Sequence, residues 1–366
     1  MKTVFILGAG ASLDCGAPLM RDFLSRAKQL HEKGAYRESG AQIQDVLDAA
    51  FKDLKPVQAK SQIAYKNVEE LFSAIDMGRM LGVFGSRDPS TLEELGRSIK
   101  VFIYRTIEET VRIPLNEHRI GQLEGYGMLA KLALERVKAA VGQGRDDVSF
   151  ITFNYDTCLE FALVRNGVGV DYGLAEAFLD PDENQYRTTL PVLKLHGSIN
   201  WASCPQCQTI VPTRVDPWRR ASLIELVDQP GELRLLLGSQ IAGQVHRCGA
   251  RLDPVPFLVP PTWDKATGAA DLKRVWQRAA RELGSASNVV VIGYSMPSTD
   301  TFFRYLFALG SNSDVHLDRF VLINGNSGAQ HDQRFRELLG PMAADGFDPH
   351  PIVFSGAENL IRNVLS

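Results

Sequence analysis

Residues 3–7, TVFIL, form an unbroken apolar run that passes straight into Gly8-Ala9-Gly10-Ala11-Ser12. This junction limits the folds open to the chain more than any other stretch. A short apolar run bounded by glycine suits a strand covered on both faces, as in parallel sheets. Glycines just after such a strand let the backbone approach a phosphate, and the amides of a following helix N-terminus supply donors. The third glycine of the dinucleotide fingerprint is missing, with Leu13 in its place, and no P-loop lysine follows. A plain tight turn after a buried strand is the alternative. Ser12, Asp14 and Arg21 add polar groups at the same mouth.

Further strand character falls at 148–153 (VSFITF), 191–195 (PVLKL), 257–259 (FLV), 288–292 (NVVVI) and 320–323 (FVLI). Helical periodicity over 270–283 and 301–309 alternates with the last of these, the pattern of an open parallel α/β sheet. Between about 20 and 141 apolar residues recur at helical spacing, with capping-box pairs Asn67/Glu70 and Ser90/Glu93. A plain crossover needs only a dozen or more residues. The surplus reads as an inserted helical layer, and 366 residues exceed what one core usually supports. The expected architecture is a Rossmann-like open parallel sheet at about 1–20, 146–200 and 254–366. It carries a helical insertion at 21–145 and a small Cys-containing, zinc-knuckle-like module at 201–253.

Function classes fall away on composition. A net charge of −3 gives no electrostatic case for nucleic acid as the main ligand. No apolar stretch nears the 18 or so residues of a spanning helix, and the N-terminal run is too short for a signal peptide. Five cysteines, odd in number and unevenly spread, do not make a secreted disulfide framework, so a cytoplasmic protein is expected.

Four strands end in polar or glycine-rich clusters. These are Gly8 to Ser12, Asn154-Tyr155-Asp156, His196-Gly197-Ser198 and Gly293-Tyr294-Ser295. In open α/β sheets, ligands sit beyond the carboxyl ends of the strands, so these clusters should meet at one crevice. Taken singly, Asn154 also reads as a helix cap and His196 as a satisfied core histidine.

The order GAGAS, TFNYD, LHGS, a CxxC insertion and GYS resembles the SIR2, or sirtuin, superfamily. The segments NVEELFS (67–73), FNYDT (153–157), LVPPTW (258–263) and GYSMPSTDTFFRYLF (293–307) look like the SIR2-like proteins of bacterial antiphage defence, which degrade NAD. The resemblance implies NAD as substrate, with Gly8, Ala9, Gly10, Ala11 and Ser12 on its pyrophosphate and Arg21 in a flexible cofactor loop. It further implies Asn154 and His196 as catalytic, Asp156 as NAD-binding, and Gly293, Ser295 and Asn324 near the adenosine ribose or adenine. Phe153 replaces a usual glutamine, and Leu19-Met20 replaces the Asp-Phe pair of deacylases, a departure that weighs against acyl-lysine chemistry.

The chemistry fits those residue types. Nicotinamide leaves as a neutral base, so the enzyme must steady an oxocarbenium-like ribose and aim a nucleophile. An asparagine amide can hold water or a ribose hydroxyl, a histidine can take a proton, and Asp156 can support developing positive charge. The expected activity is NAD+ glycohydrolysis to nicotinamide and ADP-ribose, depleting NAD in abortive infection. The rivals are an NAD-dependent lysine deacylase and a non-catalytic NAD or ADP-ribose sensor. A homo-oligomer is expected, and the resemblance adds a defence-operon partner such as a HerA-type ATPase or short Argonaute. Cys204, Cys207, His246 and Cys248 make a Cys3His set of the kind structural zinc accepts; the alternative is a remnant knuckle with free thiols. Cys15 and Cys158 read as small buried hydrophobes.

Overall fold

The computed structural model describes residues 1–54, 68–116, 119–140, 147–176, 178–179, 186–216, 221–227, 231–259, 270–297, 301–311, 315–325 and 328–366. Seven strands form the central sheet: β1 (Thr3–Leu7), β2 (Val148–Thr152), β3 (Gly169–Asp171), β4 (Thr189–Lys194), β5 (Asn288–Ile292), β6 (Arg319–Ile323) and β7 (Phe347–His350). Their order is β7-β6-β5-β1-β2-β4-β3, and all pairs are parallel. This is the expected Rossmann-like open sheet.

The sequence explains the centre of the sheet. Val4, Phe5, Ile6 and Leu7 are wholly buried because β1 has a strand on each side and helices on both faces. Each such side chain contributes roughly 1.5–3 kcal/mol of burial. From β1 the chain builds outward through β2 to β4 and β3, then returns to place β5 on the other side of β1. The order therefore reverses between β1 and β5, and a crevice at their carboxyl ends follows from that reversal. Leu7 is in register with both Thr152 and Ile292, so the loops after β1, β2 and β5 start at one level.

Several expectations are corrected. Phe257–Val259 does not rejoin the sheet. It runs along the turn after β4, with Val259 N donating to His196 O at 2.9 Å, Ser198 N to Phe257 O at 3.2 Å, and Leu258 bridged to Gly197. The helix near 91–113 is Pro89–Thr110, and its cap is Asp88, which accepts from the Ser90 and Thr91 amides at 2.9 and 3.0 Å; Ser90 is not the cap. Asp88 in extended conformation before Pro89 satisfies the first turn better than a serine inside it. The residues after Gly8 form a 3-10 helix, Ala9–Cys15, ended by Gly16 at φ +86°. Asn67, residues 260–263 and residues 298–300 of the resembling segments lie outside the described residues.

The segment between β1 and β2 is mostly helical, with helices Met20–Glu32, Gly40–Asp48, Val68–Leu81, Pro89–Thr110 and Glu124–Ala139. The last packs on Cys158–Arg165 and on Glu358–Leu365, against the sheet layer. Strand Ile113–Asn116 pairs antiparallel with Glu232–Leu235, which pairs with Ile224–Leu226. A small sheet thus joins the helical segment to the cysteine module. A buried charge cluster reinforces the joint. Arg105 donates to Glu108, Glu109 and Ser239 at 2.9, 3.2 and 2.7 Å, and Arg234 pairs with Glu109. No helix among the described residues is long and apolar enough to cross a membrane.

Gly293, at φ +62°, is as tight as any described glycine: a Cβ there would lie 2.2 Å from Ala11 N, as one on Gly197 would from Phe257 O. Gly293→Ala should lower stability by about 2–4 kcal/mol through left-handed strain and overpacking. Urea unfolding of the variant would check this, and an unchanged midpoint would contradict the close crossing.

Candidate functional site

At the reversal between β1 and β5 lies a cleft of about 490 Å3. Its walls include Gly8, Ala9, Gly10, Arg21, Asn154, His196, Gly293, Ser295 and Asn324, all expected from the sequence. Three other expected residues sit behind the wall. Ala11 and Ser12 are buried in the turn, and Asp156 is 6% exposed beneath it. The clusters after β1, β2, β4 and β5 therefore do meet.

The turn after β1 crosses the turn after β5 backbone on backbone. Gly10 N donates to Gly293 O at 2.8 Å, Gly8 N to Ile292 O at 3.0 Å, and Gly293 N to Ile323 O at 2.9 Å. A Cβ on Gly8 would lie 2.5 Å from Tyr294 Cα. Side chains are excluded here for steric reasons, and what remains facing the cleft is main chain.

Asn154 has a fixed orientation. Its Nδ2 donates to Gly8 O at 2.9 Å and to Ser12 Oγ at 3.1 Å. A carbonyl only accepts, so the bond to Gly8 identifies which end of the amide is nitrogen. Oδ1 is then the end that Asn154, lining the cleft, can offer as an acceptor. Ser12 Oγ donates to Asp156 Oδ2 at 2.8 Å. With its single proton spent, Ser12 must accept from Tyr126 OH, also 2.8 Å away. Burial, ahead of the nearby Asp156 charge, raises the Tyr126 hydroxyl well above its ordinary value, so it keeps the proton it donates. Asp156 also accepts from Cys158 N at 3.0 Å and so anchors the start of the helix Cys158–Arg165.

His196 is 4% exposed. Its ring lies edge-on to Phe153, centroids 5.4 Å apart, and 6.1 Å from the Tyr155 ring. Phe153 stacks on Tyr294 at 4.4 Å, and both pack on Phe303. Tyr155 OH donates to Val259 O at 2.9 Å, closing the loop around the imidazole.

Beneath these turns runs a second buried network. Lys194 is wholly buried on β4, two residues before His196. Its Nζ donates to Asp156 O at 2.5 Å and to Glu160 Oε1 at 2.8 Å. Burial raises the Glu160 carboxyl, and the Lys194 charge opposes that shift. Glu160 also accepts from Tyr172 OH at 3.3 Å; Asn200 donates to Tyr172 at 3.0 Å and accepts from Ser198 Oγ at 2.6 Å. The asparagine turn, the histidine turn and the base of the cysteine module are thereby tied together.

Sequence reasoning missed Tyr126, Lys194 and Glu160, and two cleft residues from the helix Ala329–Arg336. His331 Nε2 lies 3.2 Å from Tyr294 O and 3.3 Å from Asn324 Nδ2. Arg334 lines the cleft and donates to Met296 O at 3.3 Å. With Arg21, it brings cationic charge to the cleft.

In the cysteine module, the hairpin Trp201–Cys204 and Thr209–Pro212 presents Cys204 and Cys207, and the bridge Val245–Arg251 presents His246 and Cys248. All four ligand atoms lie within 4.8 Å of one another. Cys204 Sγ and Cys248 Sγ are 3.6 Å apart, as are Cys207 Sγ and His246 Nδ1. A disulfide needs about 2.05 Å, whereas the edge of a thiolate tetrahedron around zinc is about 3.8 Å. Hydrogen bonding with Cys248, ahead of burial, pushes the Cys207 thiol up to about 12. Thiols this close ionise together only around a shared cation, so the set fits a structural metal.

The fold and cleft together define an open doubly wound α/β protein with one main crevice at its strand-order reversal. Residues 148–245 match the family described as SIR2-like domain, the superfamily that the sequence resemblance pointed to. Among solved structures, a SIR2 homologue in complex with NAD is similar at 15% identity and a TM-score of 0.41, covering 100% of this chain and 91% of that one. Sir2Tm bound to a propionylated peptide is similar at 14% identity and a TM-score of 0.38, covering 100% and 94%. No curated protein matches the chain. Likenesses this distant leave function to be argued from the residues.

Lys194→Met should cost about 3–5 kcal/mol, because it strands the buried Glu160 carboxyl. Adding Glu160→Leu should restore part of that loss. Chemical denaturation of the single and double variants measures it; equal stability in both would remove the coupling.

Proposed function

We propose that the chain is an NAD+ glycohydrolase that releases nicotinamide and leaves ADP-ribose. The observation that carries this reading is the meeting of Asn154 and His196 in the same cleft as the glycine turn. The amides of Gly8, Gly10 and Ala11 are spent on carbonyls, so it is the close approach that the bare glycines allow, with the guanidinium groups of Arg21 and Arg334 at the same cleft, that suits a pyrophosphate. Gly293, Ser295 and Asn324 suit the adenosine end, where small residues leave room beside β5 and β6. Asp156 acts from below, by holding Ser12 and the helix start.

In this reading Asn154 Oδ1 accepts a hydrogen bond from a ribose hydroxyl or from the attacking water. Its orientation is preset, because the other end of the amide is held by Gly8 and Ser12. Preset acceptors spend no reorganisation at the transition state. His196, walled by Phe153 and Tyr155, takes the proton from that hydroxyl or water. The bond between C1′ of the ribose and the pyridinium nitrogen breaks, and nicotinamide departs with the electron pair as a neutral molecule. Water adds to C1′ and yields ADP-ribose plus a proton. Leu19 and Met20 line the cleft at the position where resembling deacylases carry Asp-Phe, which favours water over an acyl-lysine as acceptor.

Cys204, Cys207, His246 and Cys248 hold a structural zinc in this proposal, and the metal fixes the module without touching the cleft. A role in antiphage defence, self-association and a partner encoded nearby belong to the same proposal; they rest on the sequence resemblance.

Purified chain incubated with NAD should release nicotinamide and free ADP-ribose without any peptide. Asn154→Ala and His196→Ala should each lower turnover by about 100-fold or more. Undiminished turnover in both removes the assignment, and acetyl-ADP-ribose formed only with an acetylated peptide would favour deacylation. Elemental analysis should find one zinc per chain, lost in Cys204→Ser; a metal-free wild-type chain of unchanged stability would end the zinc proposal.

A further inference from the structure

A second cavity, of about 390 Å3, lies at the edge of the sheet beside β3 and shares no lining residue with the cleft. Its floor is the helix Cys158–Arg165 and β3, and its far wall is the segment 212–216. Three aromatic side chains, Tyr172, Phe178 and Tyr186, supply flat apolar surface. Tyr172 and Phe178 are tilted at 49° with centroids 5.8 Å apart, which leaves a wedge and not a closed stack.

The charged groups are mostly acidic. Glu160, Asp171, Glu176 and Asp216 line the cavity, and Arg214 is its one cation among the described lining residues. Asp171 and Glu176 are held from outside by Arg278 and Arg247. Asp216 is different. It is 3% exposed, and its Oδ1 accepts from Tyr186 OH at 3.1 Å. Its Oδ2 is ion-paired with Arg214 NH1 at 3.6 Å but accepts no hydrogen bond. A buried carboxylate oxygen without a donor is costly, and a ligand N–H or O–H would satisfy it.

We propose that this sheet-edge cavity is a second ligand site, for an uncharged or cationic heteroaromatic compound of nucleoside size that donates a hydrogen bond to Asp216. The volume suits a ring with a small polar appendage, and the aromatic wedge suits its faces. The carboxylates exclude phosphate esters, which separates this site from the cleft. The proposal does not rest on NAD cleavage, and a failure here leaves that reading untouched.

Adenosine is the probe, titrated calorimetrically into the full chain with and without saturating ADP-ribose. One equivalent of adenosine should bind in both conditions, and AMP should bind more weakly with the cleft filled. Asp216→Asn keeps the shape and removes the charge, and should weaken adenosine about tenfold. Leu174→Trp, at a half-buried wall position, should block it while circular dichroism shows an intact fold. Binding abolished by ADP-ribose, binding unchanged in both variants, AMP binding as tightly as adenosine, or no binding at millimolar adenosine would each overturn the site. ADP-ribose showing no heat of its own would count against the reading of the cleft, and the two variants would then decide the cavity alone.

Discussion

The crossing of two glycine turns is the constraint on which the rest depends. Strands β1 and β5 are hydrogen-bonded neighbours, so the chain leaving each must turn away within one or two residues. Gly8, Gly10 and Gly293 let the two turns pass at backbone contact, with Gly10 N bonded to Gly293 O. Had any of these three carried a side chain, the turns would have been forced apart and the crevice filled. Because the three crossing positions are bare, main-chain groups remain in the cleft wall beside Ala9, Tyr294 and Ser295. The cleft is therefore a consequence of strand order and residue size, before any polar side chain enters.

Onto that wall the polar side chains are fastened by a chain of hydrogen bonds with a single sense. Ser12 gives its proton to Asp156 and receives from Tyr126 and Asn154. Asn154 spends its nitrogen on Gly8 and Ser12, so its oxygen is the end left for a ligand. Lys194 works one layer lower, binding the Asp156 carbonyl while neutralising Glu160. A buried ammonium is expensive unless every proton finds an acceptor. Its position between the asparagine turn and the histidine turn holds the two loops in one geometry. Asn154 and His196 come from strands that are themselves adjacent, β2 and β4, and this lower layer keeps their loops from moving independently.

The strands at the centre of the sheet were legible because their runs are apolar and end in glycine or short polar clusters. Their meeting at one cleft was legible too, since parallel strands carry their carboxyl ends to one side. Less was visible where the signal is long-range. Tyr126 sits in a helix and looks like any apolar-face tyrosine; its partner Ser12 is 114 residues away. Lys194 in PVLKL reads as a solvent-facing strand residue, yet it is wholly buried. Strand β7, FDPH, was hidden by an aspartate and a proline that only an edge strand tolerates. Phe257–Val259 has strand composition, but its partners are the loop around His196, and local pattern cannot distinguish a sheet from a strap. His331 and Arg334 lie in AQHDQRFR, a polar helix with nothing in its spacing to mark a cleft.

Under the proposed function, the two insertions bear on which molecule reacts at the cleft. They leave the sheet at different points, one after β1 and one after β4, yet Ile113–Asn116 and Glu232–Leu235 pair as strands and Arg105 bonds across to Ser239. This joint braces the helix Pro89–Thr110, whose end meets the glycine turn: Arg112 N donates to Cys15 O at 2.8 Å, and a Cβ on Gly16 would strike Thr110 O at 2.5 Å. The turn is thus held from the insertion side as well as from β5. Leu19, Met20 and Arg21 then start the first inserted helix at the rim of the cleft. The sheet fixes where a ligand lies, and the inserted layer fixes what stands over it. A change of acceptor would come from the rim residues, with the asparagine, the histidine and the glycine crossing left as they are.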